Sequence, residues 1–381
     1  MKLVVQIKLQ PSQEDARILL QTLETFNAAT NRLSQLAWDA GEFNKFALQR
    51  LFYVQLRSEF PALAAQAVIR VISKVADAYK LDRKGKRVFR AHGAVAYDLR
   101  ILSWKLATRN VNIWTIEGRR RLSYIGAESQ LEFLHSQRGQ SDLIYRDRSW
   151  YLLTTVEVSA VPTFAVKDYI GVDLGIVAIA HSSDGQRYAG GHLNGIRTRH
   201  RRLRANLQGK GTRAAKRLLR KRRVKERRFA RDVNHRISKE IVSVAQRTGR
   251  GIAFENLKDI RARVRAKRPQ RARLHSWAFG QLQSFVCYKA QLAGVPVVFV
   301  DPRNTSRTCP HCGCVDRRNR PSQSEFRCVS CGYLDNADAT AAETIRRAAV
   351  NRPNVSDPFE ISARRLVEDH RTSPSALAVG R

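Results

Sequence analysis

Tyr169-Ile170-Gly171-Val172-Asp173-Leu174-Gly175 is the stretch on which the fold turns. Apolar residues lead up to a single carboxylate, Asp173, and a small turn residue follows. A buried strand that carries one aspartate is unusual, because taking a carboxylate out of water costs several kcal/mol unless something positive meets it. Alone, the pattern reads equally well as a strand-end aspartate capping a turn. Two carboxylates downstream change that balance. Glu255 ends a second short apolar strand, Gly251-Ile252-Ala253-Phe254-Glu255, just before Asn256 and Leu257. Asp338 opens a helix of small residues, where by itself it would be an acid stabilised by the helix dipole. Three such acids suit divalent magnesium, which takes hard oxygen ligands and keeps waters elsewhere. Two ions about 3.5–4 Å apart can activate water on one side of a phosphate and stabilise the leaving oxygen on the other. In that arrangement Asp173 would bridge both ions from a central strand, with Glu255 on a neighbouring strand and Asp338 on the last helix.

Composition supports a polyanionic partner. The chain has 381 residues, 43% of them hydrophobic, enough for two or three domains with a real core. Its net charge is +36, from 69 Lys plus Arg against 33 Asp plus Glu. Such an excess repels itself unless a polyanion is present, which points to nucleic acid first and an anionic membrane second. No run of about 18 apolar residues spans a bilayer, and Met1-Lys2-Leu3 enters alternating sequence with no signal-peptide core. The six cysteines suit a reducing compartment and a metal better than disulfides.

The densest charge lies between Arg197 and Arg231, where seventeen Lys plus Arg face one acid, Glu226. The segment turns around Gln208-Gly209-Lys210-Gly211, so a helical hairpin over 195–249 is expected, with Phe229, Val233, Ile237 and Ile241 as the packing face of its second helix. Arg201, Arg202, Lys216, Arg217, Arg220, Lys221, Arg223 and Arg227 are its candidate phosphate contacts. They neutralise charge and read no sequence. A second basic cluster, Arg261 to Arg273, is expected as a loop near Glu255.

Cys309-Pro310-His311-Cys312 is followed, after fifteen residues, by Cys328-Val329-Ser330-Cys331. Two C-x-x-C knuckles at this separation predict a structural zinc ribbon over 304–335, with Cys309, Cys312, Cys328 and Cys331 as ligands. A redox dithiol pair is the competing reading. His311 and Cys314 are spare, and Cys287, in an apolar helix, reads as a core thiol.

Elsewhere, Leu3, Val5, Ile7 and Leu9 alternate as a half-buried strand, and Ser12 with Asp15 resembles a capping box at the start of a helix. Helical patterns fill residues 11–80. From 81 to 166 short strands form serial hairpins, Val111–Ile116 with Leu122–Ile125 across Glu117-Gly118-Arg119, and Leu143–Tyr145 with Trp150–Leu153 across Arg146-Asp147-Arg148. These suggest a small β-barrel that residues 1–10 could complete. Residues 167–303 and 336–350 hold the strands and helices around the acids. The tail 351–381 is expected to be mobile.

The order G-V-D-L-G, R-D-V-N-H-R-I-S-K-E-I-V, F-E-N-L, W-A-F-G-Q-L-Q-S-F-V-C-Y-K-A, D-P-R-N-T-S-R-T-C-P-H-C-G, C-V-S-C-G and D-A-T-A-A resembles the TnpB (OrfB) family encoded by insertion sequences and related to type V CRISPR effectors. The match runs from residue 169 to about 345. The resemblance implies a multidomain α+β protein: a RuvC-like nuclease domain of RNase H-like fold with an inserted zinc ribbon, and an N-terminal wedge barrel interrupted by a helical recognition bundle. It implies an RNA-guided DNA endonuclease of a transposable element, hydrolysing phosphodiester bonds beside a short flanking motif, with Asp173, Glu255 and Asp338 as catalytic acids. The implied cofactors are two Mg2+ ions (with Mn2+ as a substitute), one structural Zn2+ and a guide RNA from the element's end. The implied partner is double-stranded target DNA, with no membrane, in the interior of a prokaryotic cell near the nucleoid. The family's last motif usually reads Asp-x-Asn-Ala-Ala, and here Thr340 stands for the Asn. Alternatives are an RNA-guided DNA-binding repressor, a transposase proper with the same fold, or another kind of zinc-ribbon RNA-binding protein. Intact acids argue against the repressor, and the last reading leaves the three acids unexplained.

Overall fold

The computed structural model describes residues 1–159, 161–175, 177–257 and 279–351. The basic cluster Arg261 to Arg273 and the tail beyond Asn351 lie outside these. The chain divides into two units, the first holding Met1–Ser159 and the second the described residues that follow.

The first unit is built on β1 (Lys2–Gln10). Its alternation is real: Val5, Ile7 and Leu9 are buried while Lys2, Gln6 and Lys8 are exposed. β1 leads to three helices, α1 (Gln13–Asp39), α2 (Lys45–Glu59) and α3 (Ala65–Leu81). The first starts at Ser12, whose Oγ accepts from the Asp15 backbone N–H at 3.1 Å and donates to the Asp15 carboxylate at 2.8 Å, so the serine caps the helix while the acid holds the serine. The chain then returns as β2 (Val95–Tyr97), β3 (Leu102–Lys105), β4 (Asn110–Thr115), β5 (Gly118–Ile125), a single turn α4 (Glu128–Leu131), β6 (Gln137–Arg146) and β7 (Ser149–Glu157). These make a seven-stranded sheet in the order β2-β6-β7-β1-β5-β4-β3, antiparallel throughout, with β1 at its centre. No pairing joins the end strands β2 and β3 among the described residues. Both hairpins turn more tightly than the sequence suggests. Arg146 still pairs with Ser149, leaving Asp147 and Arg148 at φ 52 and 58 as a two-residue loop of the hand that suits strand twist. Thr115 pairs with Gly118, whose φ of 93 favours glycine. Sheet and helices share one core, in which Ile7, Phe26, Leu33, Val71 and Leu152 meet.

The second unit positions the acids. Its strands are β8 (Tyr169–Asp173), β9 (Ala178–Ser182), β10 (Arg187–Ala189), β11 (Gly251–Glu255) and β12 (Val297–Val300), ordered β10-β9-β8-β11-β12. β8, β11 and β12 run parallel, whereas β9 and β10 are antiparallel additions. Between β10 and β11 come α5 (Gly191–Lys210) and α6 (Arg213–Thr248); α7 (Phe279–Ala293) precedes β12. A cysteine module with β13 (Glu325–Arg327) and β14 (Leu334–Asn336) leads into α8 (Ala337–Asn351). Ile170, Val172, Ile252 and Phe254 pack with Ile237 and Ile241 of α6 and Leu282 and Val286 of α7. Ala253, Val298 and Val300 pack with Ile345 and Ala349 of α8. Helices on both sides explain why the parallel strands read as continuous apolar runs.

Gly171 explains how α8 lies so close. A Cβ there would stand 2.0 Å from the Ala342 carbonyl oxygen and 2.6 Å from the Arg346 backbone nitrogen, atoms of the helix backbone that cannot rotate aside. Gly171→Ala is therefore expected to lift α8 off β8, at a cost of about 1–3 kcal/mol or more. Thermal unfolding checks this, and an unchanged midpoint would refute the close packing.

Candidate metal centres and a basic hairpin

Asp173 and Glu255 end adjacent parallel strands. The ladder pairs Gly251 with Tyr169 and Phe254 with Val172, so the next residues along each strand are the two acids. Gly171 and Ala253, two positions back on each, meet α8, and the two-residue period of a strand puts both acids on that same face. Asp338 lies in the first turn of α8. The Asn336 side chain accepts from the backbone N–H groups of Asp338 and Ala339 at 2.9 and 3.3 Å. It thus does the capping that Asp338 would otherwise do.

The acids sense one another. Burial, then the charges of Glu255 and Asp338, push the Asp173 carboxyl up to about 7, against the pull of Arg320. Burial also raises Glu255, opposed by a hydrogen bond from Thr305 and by Arg320. The Arg320 guanidinium stands 3.8 Å from Asp338. Glu255 is held twice more than its strand requires: the Thr305 hydroxyl donates to its carboxylate, and the Gln283 amide donates to its backbone carbonyl at 3.0 Å. Ligand oxygens of the three acids do not all fall within 4.8 Å of one another, a closeness reached among the described residues by the four cysteines. Thr340 is buried at 1% exposure, and its hydroxyl has no hydrogen-bond partner among the described residues.

Cys309, Cys312, Cys328 and Cys331 come together from two knuckles. Cys309 and Cys331 sulfurs are 3.7 Å apart, those of Cys312 and Cys328 3.5 Å. A tetrahedral ion with bonds of about 2.3 Å asks for edges of about 3.8 Å, so the cluster could hold zinc. Each knuckle is closed by its own backbone: Gly313 N–H donates to the Cys309 carbonyl at 2.9 Å and Gly332 N–H to the Cys328 carbonyl at 3.1 Å, with both glycines at positive φ. Asn319, fully buried, ties the two together. Its amide donates to the carbonyls of Arg307 and Cys314 at 2.8 and 3.1 Å, and its oxygen accepts from Val329 N–H at 2.9 Å. His311 stacks on Tyr333, and Cys287 packs against the core beside α7's neighbours.

The basic segment forms the hairpin of α5 and α6. The turn falls within the expected stretch: the helix continues through Gln208-Gly209-Lys210 and ends at Gly211 with φ 63. Arg201 and Arg202 lie on α5, and Lys216, Arg217, Arg220, Lys221, Arg223 and Arg227 on α6; all eight are exposed. Glu226 crosses between the helices, 2.9 Å from Arg204 and 3.4 Å from His200. Ile237 and Ile241 are buried in the sheet's core, with Phe229 and Val233 against its edge.

Arg320, Thr305 and Asn319 did not stand out from sequence. Arg320 is one of 69 basic residues, and a hydroxyl or amide shows its partner only once the chain is folded. The one available signal was their place beside the cysteines.

Residues 279–345, from α7 through the cysteine module to the start of α8, match the family model of the Cas12f1-like TNB domain. A CRISPR-associated endodeoxyribonuclease Cas12f1 of Sulfoacidibacillus thermotolerans is 34% identical over 234 residues, covering 55% of this chain and 53% of that protein. Over these residues the chain is similar to the TnpB and Cas12f1 proteins. A TnpB-like protein of Methanocaldococcus jannaschii is 36% identical over 118 residues, 31% of this chain and 42% of that one. The putative RNA-guided DNA endonuclease InsQ of Escherichia coli is 35% identical over 85 residues, 22% of this chain and 21% of InsQ. The chain thus spans about half, or less, of the length of the curated relatives it matches. No helix among its described residues is long and apolar enough to cross a membrane.

Proposed function

We propose that this chain is an RNA-guided DNA endonuclease of a transposable element, cutting target DNA beside a short flanking motif through a RuvC-like, two-metal site. One observation carries the reading: three carboxylates from β8, β11 and α8, remote in sequence, lie close enough to raise the Asp173 carboxyl, with Arg320 against them. The sheet, parallel β8, β11 and β12 extended by antiparallel β9 and β10, suits an RNase H-like nuclease, and the relatives carry endonuclease names. The donor set fits divalent cations. Burial, and then repulsion from Glu255 and Asp338, lifts the Asp173 carboxyl to about 7, and a cation would offset both by favouring the charged form. All three donors are hard oxygens, as Mg2+ asks and as Mn2+ tolerates. Asp173, Glu255 and Asp338 would hold the ions, which supply an activated water and stabilisation of the leaving oxygen. Arg320 adds fixed positive charge where phosphate would lie. The four cysteines would hold one structural zinc. The seven-stranded sheet would serve as wedge and α1 to α3 as recognition bundle, in residues 1–10 with 81–166 and 11–80.

Sequencing the RNA that co-purifies, then presenting a supercoiled target matched to it, tests this. Cutting that needs both guide and Mg2+ is expected; cutting without the guide, or none with it, refutes the reading. The exposed arginines of α6 are expected to hold RNA through phosphates. Log affinity should then fall with log salt by about 0.7–0.9 per phosphate neutralised, and changing Arg220 and Arg223 together to Ala should flatten the slope by about 1.4–1.8. Sequence choice, supplied by guide pairing, should stay put. An unaltered slope in a filter-binding titration would remove these two side chains from the interface.

A further inference from the structure

The segment between β12 and the first knuckle reaches back into the acid site. Thr305, 5% exposed, donates its hydroxyl hydrogen to the Glu255 carboxylate. Two residues on, the Arg307 carbonyl accepts from Asn319, and the same asparagine binds the Cys314 carbonyl of one knuckle and the Val329 N–H of the other. Arg320, next to Asn319, stands 3.8 Å from Asp338. The cysteine module therefore touches two of the three acids, on two sides.

We propose that Thr305 is a positioning residue: through it the folded cysteine module fixes the Glu255 carboxylate for cation binding, so that filling the four-cysteine site tightens the acid site. This rests on the reading of the acids as cation ligands. The physical reason is orientation. Glu255 has three side-chain torsions, and a strand end fixes none of them. One hydrogen bond from a buried hydroxyl leaves the other carboxylate oxygen for an ion. Partners of this kind, which hold a ligand rather than the ion, are commonly worth 10–100-fold in metal affinity. The bland role for Thr305 is local: the Pro302 carbonyl lies 3.1 Å from the same hydroxyl oxygen, so the side chain could merely close its own turn. A hydroxyl has one hydrogen, and a carboxylate is the stronger acceptor.

The test is a Mn2+ titration of the full chain without nucleic acid, read by the resonance of free Mn2+, with zinc content and melting measured beside it. Wild type, Glu255→Gln, Thr305→Ser, Thr305→Val and Thr305→Ala are compared. Val keeps the shape and loses the hydroxyl; Ser keeps the hydroxyl. Thr305→Val is expected to weaken Mn2+ binding about 10–100-fold with zinc content and melting unchanged, and Thr305→Ser to stay within about threefold. Equal binding by Thr305→Val and wild type, while Glu255→Gln is weakened, overturns the positioning role. Loss of zinc or early melting in Thr305→Val and in Thr305→Ala overturns it too, since the residue would then hold its turn rather than the acid. Indistinguishable titrations of wild type and Glu255→Gln would sink instead the reading of the acids as cation ligands.

Discussion

Asp173→Ala, Glu255→Ala and Asp338→Ala are each expected to abolish DNA cleavage while leaving guide-directed DNA binding within about threefold. A pair of ions loses a member, or its spacing, when any of the three carboxylates goes. Binding should survive because phosphate contacts and guide pairing lie elsewhere, and the exposed arginines of α5 and α6 are not among the acids' partners. Magnesium or manganese should support cutting and calcium should not, since its larger, looser shell fixes the attacking water poorly. The acids also predict a stability effect of opposite sign. The Asp173 carboxyl stands at about 7 in the folded chain, against roughly 3.9 when free. Between those values the folded state binds more protons than the unfolded one, so metal-free stability falls as pH rises through that window. Asp173→Asn should accordingly melt above wild type at pH 8 without divalent cations, and Mg2+ should raise the midpoint of wild type alone. Full cleavage by any single alanine variant would take that residue out of the site. A loss of binding that tracks the loss of cleavage would mean that the acids hold the fold rather than the chemistry.

Local signals were legible in the sequence where one chain segment decides the outcome. The alternation of Leu3 to Leu9 specified β1, the Ser12 and Asp15 pair specified the start of α1, and the apolar runs ending at Asp173 and Glu255 specified two buried strands. The cysteine spacing specified the knuckles. Features that depend on two segments meeting were not legible. Gly171 looks like any small residue in a strand until the backbone of α8 lies against it. Arg320 matters only because it faces Asp338, and Thr305 only because Glu255 is within its reach. Within the stretch Gln208 to Gly211 that signalled the turn, the helix carries Gly209 at modest cost and Gly211 adopts the positive φ. That β1 sits in the middle of its sheet, between β7 and β5, follows from long-range pairing that no local pattern encodes.

Cys328→Ser is expected to empty the four-cysteine site and to take cleavage with it. The apolar core of the module is small: Cys309, Phe326, Cys328 and Ala337 are its buried members, with Cys314 and Tyr333 beside them. So little burial cannot offset the ordering of about thirty residues, whereas a structural zinc ion supplies about 10–16 kcal/mol of binding free energy at pH 7. Two pairs of sulfurs stand 3.7 and 3.5 Å apart, close to a tetrahedral edge, and all four lie within 4.8 Å of one another. A hydroxyl in place of the Cys328 thiolate removes one of four ligands from a closed site. The effect should travel, because the module runs directly into α8 and carries Arg320 and Thr305 to the acids. Metal analysis should find one zinc per wild-type chain and well under half of that in Cys328→Ser, with new protease cuts between residues 304 and 335. Cys314→Ser is the control, since Cys314 lies beside the cluster without belonging to it, and it should keep both zinc and cleavage. Wild-type protein with well under one zinc, or Cys328→Ser that keeps its zinc and still cuts, would show that the module folds on its own contacts and that the sulfurs meet for another reason.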